Sequence, residues 1–328
     1  MMKKKISQCM IVKNEEKNIR RALSWGKDIM CEQIVVDTGS SDRTVEIARE
    51  MGAKIFFFPW INDFAAAKNF AIDQAKGDWI AFLDADESFT PEDAAKIPEI
   101  LEYVGEDVDG LLTGIVDLDE NNHITSGGTM IRFFVNRPDL RYVGKIHEHL
   151  VRKGRSGLHL TDATKQLAFL HTGYQEQEKK DKSKFERNLN IILEILKQEP
   201  ENCDYLGYLG DTYSSDGKNE EARDAYKKAV AAMPEKLGVY DQRSSYTYTN
   251  LLRVSQCLNE PEAEVEAIYK EAVEKLPKEP DFDCVMGEWY WRKGQYEKAV
   301  QMYELAIAKL ETYGTVNRGI ITLSLIHI

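Results

Sequence analysis

Three acids in four positions close an apolar run at Trp79-Ile80-Ala81-Phe82-Leu83-Asp84-Ala85-Asp86-Glu87. Read as a buried strand, the run delivers its carboxylates to a sheet edge. Asp84 and Asp86 then fall on one side, because strand side chains alternate, and small Ala85 turns away. Two carboxylates on one side suit a hard divalent cation such as Mg²⁺ or Mn²⁺, which takes its remaining ligands from phosphates and water. The ordinary alternative is a set of acids near the dipole of a helix starting around Thr90-Pro91-Glu92. Other strand ends carry polar residues to the same rim: Asn14 and Glu15 after Ile6 to Val12, and Asp37 after Gln33 to Val36. There is no GxGxxG and no GxxxxGK[ST], so phosphates here would be held by a metal and a cation, and Lys68 is the candidate cation.

Those side chains need elements to carry them, and the pattern supplies an alternation. Ile6 to Val12 reads as a strand, and Ile19, Leu23 and Trp25 mark a helix. Gln33 to Asp37 reads as a second strand, and Thr44 to Met51 as a helix stopped by Gly52. Lys54 to Phe58 is a third strand, and Asp63 to Lys76 a helix closed by Gly77 before the acid-bearing strand. Strands alternating with helices imply a parallel sheet with right-handed crossovers, whose ligands bind at the carboxyl ends of the strands. After Pro98 the pattern turns β-like, with strands at Gly110 to Leu118 and Met130 to Val135 around an acidic turn. Tyr142 to His149 and Ala168 to Tyr174 follow, and His147 and His149 read as lying on one strand face.

Composition narrows the classes. A chain of 328 residues has room for two domains, and a formal net charge of -12 argues against a general nucleic-acid binder. The apolar stretch after Lys3-Lys4-Lys5 is too short and polar for a signal segment, and nothing reaches the length of a membrane helix. The cysteines, Cys9, Cys31, Cys203, Cys257 and Cys284, are scattered and odd in number, which indicates neither a disulfide framework nor a zinc site. The expectation is a soluble cytoplasmic protein of a reducing compartment.

The series Cys9 to Glu16, Val35-Val36-Asp37-Thr38-Gly39-Ser40-Ser41-Asp42-Arg43-Thr44, Ala67-Lys68-Asn69 and Leu83-Asp84-Ala85-Asp86-Glu87 resembles family 2 glycosyltransferases with the GT-A fold, over roughly residues 6 to 175. The resemblance implies that Asp37 contacts the base of a nucleotide-diphosphate sugar, a UDP-sugar for preference, with Asn14 and Glu15 nearby and Lys68 along the nucleotide. It implies that Asp84 faces the ribose or the metal and that Asp86 ligates the Mn²⁺ or Mg²⁺ bridging the phosphates. A departing nucleoside diphosphate needs its growing charge stabilised, which a divalent cation does. An inverting transfer also needs a base to take the acceptor's proton, and Glu148 is the candidate. His171 sits where many such enzymes supply a further metal ligand. Residue by residue the ordinary readings stay open: Asn14 and Ser41 as turn or cap residues, Lys68 as a solvated helix residue, His171 as a strand-end cap.

Beyond a charged stretch from Gln175 to Lys184, a helix around Leu189, Ile192 and Leu196 leads into repeats. Leu206, Gly210, Tyr213, Ala222, Tyr226, Ala229 and Pro234 fit the tetratricopeptide pattern, a unit of about 34 residues. Ala222, Val265 and Ala299 correspond at offsets of 43 and 34 residues, with an insertion around Gly238 to Tyr246 in the first copy. The middle copy, at Leu252, Tyr269, Ala272 and Pro277, is the weak one. Most of Tyr205, Tyr208, Tyr246, Tyr248, Trp289 and Trp291 are expected to pack between helices. The reading is therefore an α/β GT-A domain (1–175), a linker helix (176–202), an all-α tetratricopeptide-repeat domain (203–322) and a non-native tail (323–328) at the end of a truncated chain. The expected partners are a nucleotide-sugar donor and a peptide, saccharide or lipid-linked acceptor, with the repeats binding the acceptor, another protein or a second copy. A related combination of GT-A and tetratricopeptide-like helices occurs in S-glycosyltransferases acting on ribosomal peptides, so a peptide acceptor fits, and saccharide or lipid-linked acceptors stay open beside it. The competing readings are a protein-interaction scaffold whose transferase half is degenerate, and a nucleotidyltransferase, for which no glycine-rich basic loop is present.

Overall fold

Short apolar runs rich in β-branched residues make the parallel half of a sheet: β1 (Ile6–Val12), β2 (Glu32–Asp37), β3 (Lys54–Phe57) and β4 (Trp79–Phe82). β1 lies between β2 and β4 with β3 outside β2, all parallel. The crossovers are α1 (Ile19–Ser24), α2 (Thr44–Glu50) and α3 (Phe64–Asp73). Asp63 starts α3 by accepting a hydrogen bond from the Ala66 N–H, a standard N-cap. Parallel strands covered on both faces read as near-continuous apolar runs, which is why these elements were legible.

The other half is largely antiparallel: β5 (Glu87–Phe89), α4 (Pro91–Tyr103), β6 (Gly110–Leu118), β7 (Ile124–Val135), β10 (Leu160–Asp162) and β11 (Ala168–His171). The strand order is β3-β2-β1-β4-β7-β6-β11-β5, with β10 beside β6; β8 (Leu140–Val143) and β9 (His149–Arg152) form a separate ribbon. β11 runs parallel to β6 and antiparallel to β5, so His171 stands beside both Asp117 and Glu87.

Two local readings are corrected. β4 stops at Phe82, and Leu83 to Asp86 form a turn closed by the Glu87 N–H on the Asp84 carbonyl at 3.1 Å. Asp84 and Asp86 therefore do not share a strand face. Ala85, 4% exposed, is drawn into the core with Met10, Val12 and Leu23, and that burial bends the chain. Similarly, β9 begins at His149, while His147 has a left-handed φ of 54°, so the two histidines are not on one strand face.

The structure is a computed structural model that describes residues 4–172, 182–238 and 241–313, and the chain divides into two compact units at Asp181/Lys182. The second unit begins with α5 (Lys182–Gln198) and continues as helix pairs: α6 (Cys203–Ser215) with α7 (Asn219–Ala231), α8 (Gln242–Cys257) with α9 (Glu262–Lys275), and α10 (Asp281–Arg292) with α11 (Tyr296–Tyr313). Gly210 lies against the Tyr226 ring, and a Cβ on Gly287 would come within 2.8 Å of the Tyr303 ring. In the middle pair the α8–α9 loop is one residue longer, and buried Leu252 occupies the glycine's place opposite Tyr269. That exchange of small for large accounts for the weak middle copy. Tyr248 and Trp289 are core residues, whereas Trp291 is 57% exposed. The start of the expected linker helix, part of the insertion and the tail at 323–328 lie outside the described residues. Among those residues no helix is long and apolar enough to cross a membrane.

Candidate functional site

At the carboxyl edge of the parallel strands, two loops are tied together by the residues expected to meet a nucleotide. Asn14, with a left-handed φ of 59°, donates its N–H to Ser40 Oγ at 2.9 Å and accepts the Ser41 N–H on Oδ1 at 2.8 Å. Glu15 donates its N–H to Thr44 Oγ1 at 2.6 Å, and its carboxylate accepts from Asn18. The nearly buried Asp37 accepts the Gly39 and Ser40 N–H groups at 3.1 Å. The turn passes through Gly39 at φ 112°, a conformation that favours glycine. Asn14, Glu15 and Asp37 are thus brought to one rim, and their visible partners are the loops they brace.

Behind that rim sits a cluster of charge, largely buried, with Asp84 on its open side at 42% exposure. Lys68, on the inner side of α3, places Nζ 2.7 Å from Glu148 Oε1 and 3.7 Å from Asp84 Oδ1, and over the rings of Phe82 and Tyr142 at 5.1 Å each. It is not a solvated helix residue. Burial would lower its pKa, but Asp84 and Glu148 outweigh that and hold it above the ordinary lysine range. Arg132 on β7 donates to Asp84 Oδ2 at 3.1 Å and to Glu87. Burial alone would raise the Asp84 carboxyl, yet Lys68 and then Arg132 draw it down to about 2. Glu87 goes the other way: burial holds it up at about 7 despite Arg132.

Asp86 leaves that cluster and turns to β11. His171 Nε2 lies 3.4 Å from Asp86 Oδ2, and Nδ1 lies 2.8 Å from Asp117 Oδ1. Asp117 in turn accepts from Ser126 Oγ. Burial disfavours the imidazolium, but the bonds to Asp86 and Asp117 prevail and raise His171 to about 9. A proton held between two carboxylates marks a position that stabilises positive charge. The geometry also fits a metal pair: a ligating histidine commonly gives its second nitrogen to a carboxylate, which fixes the ring. An oxygen and a nitrogen donor suit Mn²⁺, with further positions left for phosphate and water. No cluster of three or more such ligands occurs among the described residues, so a cation here would take Asp86 and His171 as its ligands from the chain.

Arg132, Asp117 and the role of Glu87 were missed from sequence. The signal was there for Arg132, a lone charge inside the apolar run of β7; Asp117, the last residue but one of β6, has nothing nearby in sequence to distinguish it from a turn acid.

The comparisons with known proteins agree with this division. A model of glycosyl transferase family 2 matches residues 7–153, and tetratricopeptide repeat models match 205–235 and 285–314. The chain is 33% identical over 226 residues to the SPbeta prophage-derived glycosyltransferase SunS of Bacillus subtilis, covering 67% of this chain and 52% of that protein. It is 30% identical over 281 residues to a TPR repeat-containing protein of Synechococcus elongatus, covering 81% and 68%. The chain therefore spans about half the length of the SunS relative. Among solved structures, glucosyl-3-phosphoglycerate synthase from Mycobacterium tuberculosis is 21% identical over 36% of this chain and 44% of that one, with a TM-score of 0.28. The MamA protein is 23% identical over 42% and 70%, with a TM-score of 0.33. Both likenesses are too slight to bear on the site.

Proposed function

Because this chain belongs to glycosyl transferase family 2 and carries tetratricopeptide repeats behind that half, we propose that it moves a sugar from a nucleotide-diphosphate donor, a UDP-sugar for preference, to an acceptor with inversion at the anomeric carbon. The observation that carries the reading is the convergence, at the carboxyl edge of one sheet, of the Asp86–His171 pair with the Lys68–Glu148 pair. Asp37, with Asn14 and Glu15 bracing its loop, takes the base end of the donor, and Asp84 takes the ribose. Asp86 and His171 hold the divalent cation, with Asp117 fixing the imidazole. That cation, when bound, supplies Lewis-acid stabilisation for the charge growing on the departing diphosphate. Glu148 receives the proton of the attacking acceptor group, and Lys68, 2.7 Å away, keeps that carboxylate in position. The repeats take the acceptor, whether peptide, saccharide or lipid-linked, or a protein partner.

The test compares UDP- and GDP-sugars, with and without Mn²⁺, by calorimetry and product assay on the full chain. One donor should bind in a metal-dependent way, and Asp86→Ala should cost at least about 100-fold in transfer or donor hydrolysis, the scale of losing a preorganised charge stabiliser. Glu148→Gln should keep donor binding and lose transfer. A folded protein that binds no donor with metal present overturns the reading and leaves the scaffold function.

A further inference from the structure

The metal pair lies just past the end of the β5–β11 ladder, whose last pairing sets His171 beside Glu87, the residue after Asp86. Asp86 lies in the turn between β4 and β5, outside the ladder, and His171 is the last residue of β11. Their link runs through the main-chain carbonyl of Asp86. That oxygen accepts the Thr172 N–H at 3.2 Å and the Thr172 hydroxyl at 3.1 Å. Arg21 on α1 completes the knot: its Nη2 donates to Thr172 Oγ1 at 2.6 Å and reaches the Asp86 carbonyl at 3.4 Å. The hydroxyl is thus used twice, giving its proton to Asp86 and accepting from Arg21, and nearly buried Thr172 holds it there. Arg21 has a firm base, since its helix neighbours Ile19, Ala22 and Leu23 are fully buried.

We propose that Arg21 is a positioning residue for the metal pair: it fastens the Asp86 turn to the end of β11 and so sets the separation of Asp86 and His171 before any cation arrives. The inference rests on the reading that those two side chains hold the metal. Its chemistry is opposite to a purely electrostatic expectation, because a guanidinium beside a cation site repels the cation, and deleting it would then tighten binding. The hydrogen bonds predict weakening, as for other residues that orient metal ligands without touching the metal.

The experiment measures Mn²⁺ affinity of the full chain by the electron paramagnetic resonance signal of free Mn²⁺, with no donor or activity involved. Arg21→Ala should weaken binding by about 10-fold, at the lower end of the range for groups that orient metal ligands. Arg21→Lys should recover part of it, and Thr172→Val should act in the same direction. Thermal midpoints report whether each variant folds, and if Arg21→Ala does not, Thr172→Val carries the comparison. Folded variants that bind Mn²⁺ as the wild type does, or more tightly, overturn the role of Arg21. If Asp86→Ala also leaves Mn²⁺ binding intact, the assignment of the metal pair is what has failed, and this inference falls with it.

Discussion

The sheet unit and the helical unit both bury charge, but they neutralise it differently. In the sheet unit, cations meet carboxylates: Lys68 with Glu148 and Asp84, Arg132 with Asp84 and Glu87. In the helical unit, phenols share the carboxylates with cations, as with Arg243 at Asp211 and Lys309 at Asp283, both at 2.6 Å. Tyr226 donates to Asp211 at 2.8 Å, Tyr248 to Glu271 at 2.9 Å, Tyr269 to Asp283 at 2.7 Å and Tyr290 to Glu266 at 2.7 Å. Each of these bonds joins one helix to a neighbour, and the same pairing recurs along the stack. A neutral hydroxyl costs less to desolvate than an ammonium, so it suits a bond whose purpose is to hold helices together. The sheet cluster does not recur. It is assembled once, from α3, the β4–β5 turn, β5, β7 and the segment before β9, and lies at the strand ends, the edge at which parallel sheets bind their ligands. Buried charge by itself therefore does not mark a site; a non-repeating convergence from distant segments does.

The sharpest way to break this contrast is to remove one cation. Lys68→Met leaves the Glu148 carboxylate uncompensated beneath the surface and Asp84 with Arg132 as its cation, which should cost about 3–5 kcal/mol in urea unfolding. Adding Glu148→Gln should return part of that, since the two residues are in direct contact and their effects are not additive. If Lys68→Met is stability-neutral, the cluster is solvated and the distinction between the units disappears.

How far this was legible in the sequence follows the same division. The parallel strands could be read because burial on both faces leaves continuous apolar runs, and the repeats could be read because Gly210 and Gly287 recur against Tyr226 and Tyr303. Asp86, Glu148, His171 and Lys68 came from local motifs. What escaped was long-range: the pairing of β11 with both β5 and β6 brings Asp117 to His171 across 54 residues, and Arg132 meets Glu87 across 45. The break of β4 before Asp84 depends on Ala85 entering the core, and no local propensity announces that.

The helical unit answers to shape first. Gly210→Ala puts a methyl group into the Tyr226 ring, and neither can move without disturbing the α6–α7 contact. The expected loss is about 1–3 kcal/mol, typical of overpacking, read as a lower thermal midpoint of the full chain with metal binding unchanged. An undisturbed midpoint would mean that the repeat's small-against-aromatic packing is not what joins this pair.

One buried carboxylate of the helical unit has neither kind of partner within hydrogen-bond reach among the described residues. Asp281, 5% exposed in the first turn of α10, makes no side-chain hydrogen bond or ion pair with any of the described residues. Its N–H reaches Glu279 Oε1 at 3.4 Å, and Glu279 is itself buried against Ser245 Oγ at 2.9 Å. Burial and then the Glu279 charge raise the Asp281 carboxyl from 3.8 to about 7, only partly offset by Arg253 on α8. The folded state therefore keeps a proton that the unfolded chain releases at lower pH. The stabilising contribution is complete below about 3.8 and is lost as pH rises through about 7. A one-proton difference changes stability by about 1.4 kcal/mol per pH unit between those two values, so Asp281→Asn, which cannot ionise, should match the wild type near pH 4 and be the more stable by a few kcal/mol at pH 8. Urea unfolding at those two pH values decides it. An equal gap at both would mean that Asp281 is ionised throughout and that Arg253 is its partner, as Arg243 is of Asp211.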